Sequence, residues 1–97
     1  MFQMADPEYL PPAHDKFSSL IESNPEALLA DGLEDAYIGH TVNQHHAIVA
    51  VYDYAKCIQV LVERDGIDPD EADEFLQYNT LSAYVGENGP LFISQPE

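Results

Sequence analysis

Two stretches in the second half of the chain place apolar residues at helical spacing. In the first stretch, positions i, i+4, i+7 and i+8 are apolar, and these are Tyr54, Ile58, Leu61 and Val62. Asp53 before this stretch and Gly66 after it are residue types that cap helix ends. The second stretch runs from about Pro69 to Tyr84, with one side formed by Ala72, Phe75, Leu76, Asn79 and Ala83. The pattern therefore predicts two consecutive helices.

The middle of the chain is rich in β-branched and aromatic residues. They are concentrated in the segments "AYIGHTVN" and "HHAIVAVYDY", which predict two strands of a hairpin turning near Asn43 and Gln44. No Asn-Gly pair is present at that turn, so the turn type is left open. The segment "GENGP" predicts a second turn, and "LFIS" predicts a short final strand.

The first third of the chain divides into an arm and two predicted helices. Residues 1–14 contain three prolines and no periodic pattern, which favours an extended arm that packs on the domain or on a second copy. A short helix is predicted from Lys16 to Glu22, with Asp15 as its cap.

The segment "SNPEALLADG" predicts a further helix. Asn24 would cap it, Pro25 would take its first position and Gly32 would follow its end.

The order of these elements indicates an α+β fold. Residues 15–97 are predicted to form a single domain, and residues 1–14 form the arm. The sheet is expected to be small and mostly antiparallel, made of the hairpin plus the C-terminal strand and covered by two to four helices.

Charge is the unusual property of the composition. The 97 residues include 18 acids against Lys16, Lys56 and Arg64, which gives a net charge of −15. Such a surface repels nucleic acid and anionic membranes and attracts basic partners. The single cysteine, Cys57, excludes an internal disulfide framework, and no signal-type or membrane-spanning segment is recognised. These properties predict a cytoplasmic protein that binds neither nucleic acid nor membrane directly.

The most acidic segment is "DGIDPDEADEF", residues 65–75. A calcium loop of the EF-hand type fails in both possible registers, because Ala72 or Pro69 falls where an oxygen ligand is required. The same residues suit a helix start, with Asp68 as N-cap, Pro69 next and Glu71 at the third position. The acids of this segment and of the preceding helix end are the candidate partner-binding residues: Glu63, Asp65, Asp68, Asp70, Glu71, Asp73 and Glu74.

Histidines near the predicted hairpin turn offer an alternative site. On a hairpin turning near Asn43, His40 could lie opposite His45 or His46 and bind a metal or small ligand. Zinc requires about four ligands in a tetrahedron, and no Cys-x-x-Cys or His-x-x-x-His spacing is present. We therefore expect no resident metal or cofactor and keep the three histidines as an alternative.

Known catalytic motifs are not recognised in the sequence. Cys57 has a basic neighbour only in Lys56 and suits a buried position on its helix. An unrecognised active site around Asn79, Tyr84 and the "GENG" turn would require a concave pocket. We expect the protein not to be an enzyme.

Carboxylates one helical turn apart stand about 5–6 Å from each other, which is similar to the spacing of phosphates along a nucleic-acid strand. Acids so arranged can occupy a basic groove built for DNA or RNA. The competing interpretation is that an acid-rich surface only keeps the protein soluble.

Residues 33–93 resemble a group of small, acidic, uncharacterised bacteriophage and prophage proteins. The similarity rests on "LEDAYIGH", on "VYD" followed by a helix ending in "ERDG", and on "NTLSAYVGE" before a short strand. It implies a phage origin and supplies no catalytic or ligand residues. Small acidic phage proteins often inhibit a host machine, which suggests an anti-CRISPR, anti-restriction or similar inhibitor of a basic, nucleic-acid-binding host protein.

Two alternatives remain beside the inhibitor. One is the histidine-based ligand module, and the other is a phage structural or assembly protein without an inhibitory role. A homodimer is also possible, because a small sheet has exposed edges. Reversing Asp70, Asp73 and Glu74 to lysine is expected to weaken target binding.

Overall fold

The computed structural model describes residues 2–4, 14–30, 32–78 and 86–96. Strand β1 spans Phe2–Met4, and a 3-10 turn at His14–Phe17 leads into helix α1, Ser18–Ser23. The remaining elements of the described chain are β2 Leu28–Ala30, a 3-10 turn Glu34–Ala36, β3 Tyr37–Val42, β4 Ile48–Asp53, α2 Tyr54–Asp65, α3 Pro69–Leu76 and β5 Leu91–Ile93. This is the α+β architecture that the sequence predicts.

The central sheet has the order β3-β4-β5. Strands β3 and β4 form the predicted antiparallel hairpin, in which Tyr37 lies opposite Tyr52 and Val42 opposite Ile48. Strand β5 lies on the other side of β4 and runs parallel to it. A parallel neighbour needs a long crossover connection, and helices α2 and α3 lie within that connection.

The core lies where the inner face of the sheet meets the helices. Tyr52 of β4 is fully buried, with its ring 5.7 Å from the ring of Tyr37 and 5.4 Å from that of Phe92. Phe17 packs against Tyr37 with ring centroids 4.4 Å apart. The helices complete the core through Leu20 of α1, Cys57 and Leu61 of α2, and Ala72 and Leu76 of α3.

The predicted helix in "SNPEALLADG" is wrong. Pro25 and Glu26 form a turn instead, held by the Asn24 side chain, whose Oδ1 accepts the Glu26 N–H at 3.1 Å. The following strand β2 pairs with β1 of the arm, with Phe2 opposite Ala30. Proline after asparagine is equally suited to a turn and to a helix start. The pairing of β2 with β1 therefore determines that this segment forms a strand and not a helix.

Two other boundaries differ from the sequence prediction. Asp15 lies inside the 3-10 turn, and α1 begins at Ser18 without a side-chain cap. Helix α3 ends at Leu76, followed by a π-type turn at Gln77 and Tyr78. The remainder of the predicted second helix, which includes Asn79, lies outside the described residues.

Candidate partner-binding face

The seven candidate acids lie along one helical hairpin. They occupy the last turn of α2, the three-residue link 66–68 and the first two turns of α3. Both predicted caps are present, since Asp53 Oδ1 accepts the Lys56 N–H at 3.2 Å and Asp68 Oδ1 accepts the Glu71 N–H at 3.0 Å. Gly66 ends α2 in the left-handed conformation, with φ of 68°, and so allows the chain to reverse direction.

Four of the seven acids have partners within the fold. Asp68 is the N-cap of α3, and Glu63 accepts a hydrogen bond from Gln59 Nε2 at 3.1 Å. Asp65 accepts two bonds from Arg64, at 3.0 and 3.2 Å, which lower the pKa of the Asp65 carboxyl. These acids shape the hairpin, and their carboxylates are only partly available to a partner.

Asp73 is the fourth acid with a partner, and it ties the two helices together. Its Oδ1 accepts a hydrogen bond from the Tyr54 hydroxyl, and its Oδ2 accepts one from Gln77 Nε2 at 3.0 Å. Burial and the neighbouring Asp73 carboxylate raise the pKa of Tyr54. The sequence prediction grouped Asp73 with the exposed acids, because Tyr54 lies 19 positions away.

The other three acids are Asp70, Glu71 and Glu74, here called the exposed α3 acids. All three side chains are exposed, and no hydrogen bond or ion pair joins them to another residue that the structure describes. At 3.6 residues per turn they fall within an arc of about 100° of the helix. That arc lies opposite Ala72 and Leu76, which are buried in the core.

The basic residues neutralise very little of this charge. Lys16 Nζ donates to the backbone carbonyl of Glu34 at 2.6 Å, and Lys56 Nζ donates to Gln59 at 3.5 Å. Arg64 also donates to the Gly32 carbonyl at 3.0 Å. Between residues that the structure describes, the Arg64–Asp65 contact is the one ion pair.

The alternative histidine site is not assembled. The residue opposite His40 is Ala50, so the expected pairing of His40 with His45 or His46 is wrong. His45 and His46 lie in the turn, and all three side chains are exposed. Over the described ranges, no group of three or more histidine, cysteine, aspartate or glutamate side chains is arranged to hold a metal ion.

The "GENG" turn has a structural role that sequence reasoning missed. Asn88 contacts the loop after α1, since its Oδ1 accepts from Asn24 Nδ2 at 3.0 Å and its carbonyl accepts the Leu28 N–H at 2.9 Å. The Glu87 carbonyl accepts from Asn43 Nδ2 at 2.7 Å. Tyr84, the other residue of the suggested enzymatic site besides Asn79, lies outside the described residues.

Comparison of the chain with protein-family models, with curated proteins and with solved structures found no match. Within the part of the chain that the structure describes, no helix combines the length and apolar composition that a bilayer span requires.

Proposed function

We propose that this protein is a non-enzymatic inhibitor that binds a basic, nucleic-acid-binding protein through the α2–α3 hairpin. The observation that supports it most directly is the arc of exposed α3 acids, whose charges are not neutralised by any described neighbour. The resemblance of residues 33–93 to phage proteins adds the context of a host cytoplasm and of an anti-CRISPR or anti-restriction target.

The geometry of α3 suits a groove that binds phosphates. Asp70 and Glu74 are four positions apart and Glu71 and Glu74 are three apart, which places their side chains about 5–6 Å from each other. The first turn of a helix also favours negative charge, so Asp70 and Glu71 are stabilised where they stand. Arginine and lysine recognise carboxylates and phosphates through the same charge-assisted hydrogen bonds.

Charge also determines how fast the complex forms. A net charge of −15 attracts a basic protein over the distance of a Debye length, about 8 Å at physiological salt. Association should therefore be fast at low salt and slow steeply as salt increases.

The first experiment identifies the target. The protein is immobilised, host lysate is passed over it at low salt, and bound proteins are eluted with a salt gradient and identified by mass. A single stoichiometric nucleic-acid-binding protein that is displaced by DNA or RNA supports the proposal. A diffuse set of basic proteins, all released at moderate salt, shows that the acids only solvate the surface.

The second experiment assigns binding to the exposed α3 acids. The triple variant D70N/E71Q/E74Q removes three charges while keeping side-chain size, and Asp73 and Asp68 are left unchanged because they hold the fold. Charge-assisted hydrogen bonds contribute about 1.5–3 kcal/mol each, so we expect the dissociation constant for the identified target to rise by at least about tenfold.

A matched control removes the same number of charges elsewhere. Glu22, Glu26 and Asp35 are exposed and lie outside the α2–α3 hairpin, so E22Q/E26Q/D35N has the same net charge as the triple variant. We expect this control to weaken binding much less. Equal weakening by the two variants would show that net charge, rather than this face, drives binding.

A further inference from the structure

Strand β3 forms an open edge of the central sheet. In the order β3-β4-β5, β4 pairs with one side of β3, and no described strand pairs with its other side. Along this edge Ile38 is 45% exposed and Val42 is 58% exposed. Edge strands are usually protected by lysine, proline or inward-facing charge, and β3 contains none of these residues.

The register of the hairpin determines which backbone groups face outward. The Asn43 N–H donates to the Ala47 carbonyl at 2.9 Å, so this pair is a hydrogen-bonded pair of the ladder. Because such pairs alternate in an antiparallel ladder, Thr41 directs its N–H and C=O toward β4. His40 and Val42 therefore present their N–H and C=O groups at the open edge.

The hairpin is also the longest segment of the chain without charged residues. From Tyr37 to Tyr52 the sequence contains no aspartate, glutamate, lysine or arginine, whereas the whole chain has a net charge of −15. Two copies approaching through any acid-bearing surface repel each other, and a basic protein is drawn to the acids instead. The β3 edge is therefore a surface that a second copy can approach with little local repulsion.

A bulge limits how much of the edge can pair. The β3–β4 register shifts between Tyr37 and Gly39, and such irregularities interrupt regular strand addition. The regular part that remains has His40 and Val42 as its outward-facing residues, with Thr41 at its centre. This segment is complementary to itself in the antiparallel direction.

We propose that two copies of this chain associate by antiparallel pairing of their β3 strands about a two-fold axis at Thr41. His40 of each copy then exchanges backbone hydrogen bonds with Val42 of the other. Thr41 faces its own counterpart in a non-hydrogen-bonded pair, and the two three-stranded sheets become one continuous sheet. The interface is isologous, so it closes at the dimer.

Cysteine cross-linking tests the register. Facing residues of a non-hydrogen-bonded pair have Cα atoms about 4.5 Å apart, within the disulfide range, so T41C should form a disulfide-linked dimer under mild oxidant. Copies of His40, or of Val42, lie diagonally about 7–8 Å apart, so H40C and V42C should remain largely unlinked. Cys57 is fully buried and does not interfere.

A backbone test complements the cross-link. H40P removes an outward N–H that has no partner among the described residues, whereas H40A removes only the side chain and keeps that donor. The two-fold symmetry means that H40P removes two hydrogen bonds from the interface, one donated by each copy. We therefore expect H40P to weaken dimerisation by at least about tenfold relative to H40A. Sedimentation velocity over a concentration series measures this, and circular dichroism verifies that both variants are folded.

The dependence on salt distinguishes dimerisation through β3 from the proposed binding of a basic partner. Screening reduces the repulsion between two copies of charge −15, so dimerisation should strengthen with added NaCl, whereas binding of a basic partner should weaken. The D70N/E71Q/E74Q variant should still dimerise. A wild-type protein that remains monomeric at all concentrations and salts would overturn the proposal, as would H40C or V42C linking as readily as T41C.

Discussion

His46 is the described non-glycine residue whose backbone has a positive φ, 63°. The Asn43 carbonyl accepts the His46 N–H at 3.0 Å, and Asn43 Oδ1 accepts the N–H groups of His45 and Ala47 at 2.8 and 3.1 Å. The turn is therefore a three-residue loop in which the last residue is left-handed, a position that usually holds glycine. Asn43 compensates by satisfying the loop amides with its own side chain.

Replacing His46 by glycine should stabilise the protein. A left-handed conformation costs a non-glycine residue about 1–2 kcal/mol, and the added flexibility of glycine offsets part of that gain. We expect H46G to raise the free energy of unfolding by about 0.5–1 kcal/mol, measured by urea denaturation. H45G, one position earlier, should lower it. A destabilised H46G would show that the His46 side chain contributes contacts that the backbone argument omits.

Tyr52 combines a buried ring with a hydrogen bond. Its hydroxyl accepts the buried Ala30 N–H at 2.9 Å, and burial raises its pKa far above the usual tyrosine value. Y52F would leave that N–H without a partner, at a cost of about 1–3 kcal/mol in the free energy of unfolding. Chemical denaturation measures the loss.

Y37F is the control for that variant. Tyr37 is also buried, and its hydroxyl has no hydrogen bond to another described residue. Its loss should therefore change stability by less than about 0.5 kcal/mol. A Y52F variant as stable as Y37F would indicate that water or a local shift satisfies the Ala30 N–H.

At the scale of elements, the sequence predicted the helices and strands whose caps and apolar pattern lie within their own stretch of chain. It did not predict the element whose structure depends on residues far away in the sequence. Helix α2 has its cap at Asp53, its apolar stripe and its terminal Gly66 within one stretch of sequence, and both strands of the hairpin carry their own β-branched pattern. Strand β2 depends on partners elsewhere, because the Leu28 N–H bonds to Asn88 and the Ala30 N–H bonds to Tyr52. Its sequence alone fits a short helix as well.

In helix α2, the thiol of Cys57 should make the free energy of unfolding depend on pH in the alkaline range. Cys57 is fully buried, and burial raises the pKa of its thiol from 9.0 to about 12. Between these values the unfolded thiol loses its proton and the folded one keeps it. The folded state therefore binds more protons, and the free energy of unfolding falls as pH rises, by up to about 1.4 kcal/mol per pH unit.

The C57A variant isolates this contribution. Denaturation curves at several pH values from 8 upward should show a smaller loss of stability in C57A than in the wild type. Below pH 9 both proteins should show little dependence on this group. Parallel curves for the two proteins above that pH would mean that the thiol ionises as readily in the folded state as in the unfolded one.

At the scale of the whole molecule, the sequence gives the net charge, and the structure shows where on the surface the acids lie. The acids of α2 and α3 could be assigned to one hairpin from their helical spacing. The role of Asp68 as N-cap was predicted, but the engagement of Asp65 and Asp73 was not, because Asp73 depends on Tyr54 and the arginine that holds Asp65 is itself positioned by Gly32. The exposed α3 acids are those whose carboxylates have no hydrogen-bond or ion-pair partner among the described residues.

The acidic α2–α3 hairpin and the uncharged β3 edge are separate surfaces. Contacts made through them should therefore respond to salt in opposite directions. Contacts made by the exposed α3 acids weaken as ions screen them, whereas contacts through the neutral β3 edge gain because repulsion falls. The proposed binding of a target and the proposed pairing of copies can therefore be distinguished without changing a residue.

The contact between Asn24 and Asn88 has a consequence for how the chain acquires its structure during translation. The two residues are 64 positions apart, so at roughly 5–20 residues per second Asn24 is made on the order of 3–13 s before its partner. The β3–β4 hairpin can form early from neighbouring sequence, but β4 lacks its second neighbour until β5 has been synthesised. During those seconds a nascent chain exposes a two-stranded ribbon in which the β4 edge is open as well as the β3 edge. The acids synthesised before and after that ribbon would keep neighbouring nascent chains apart until the last strand is in place.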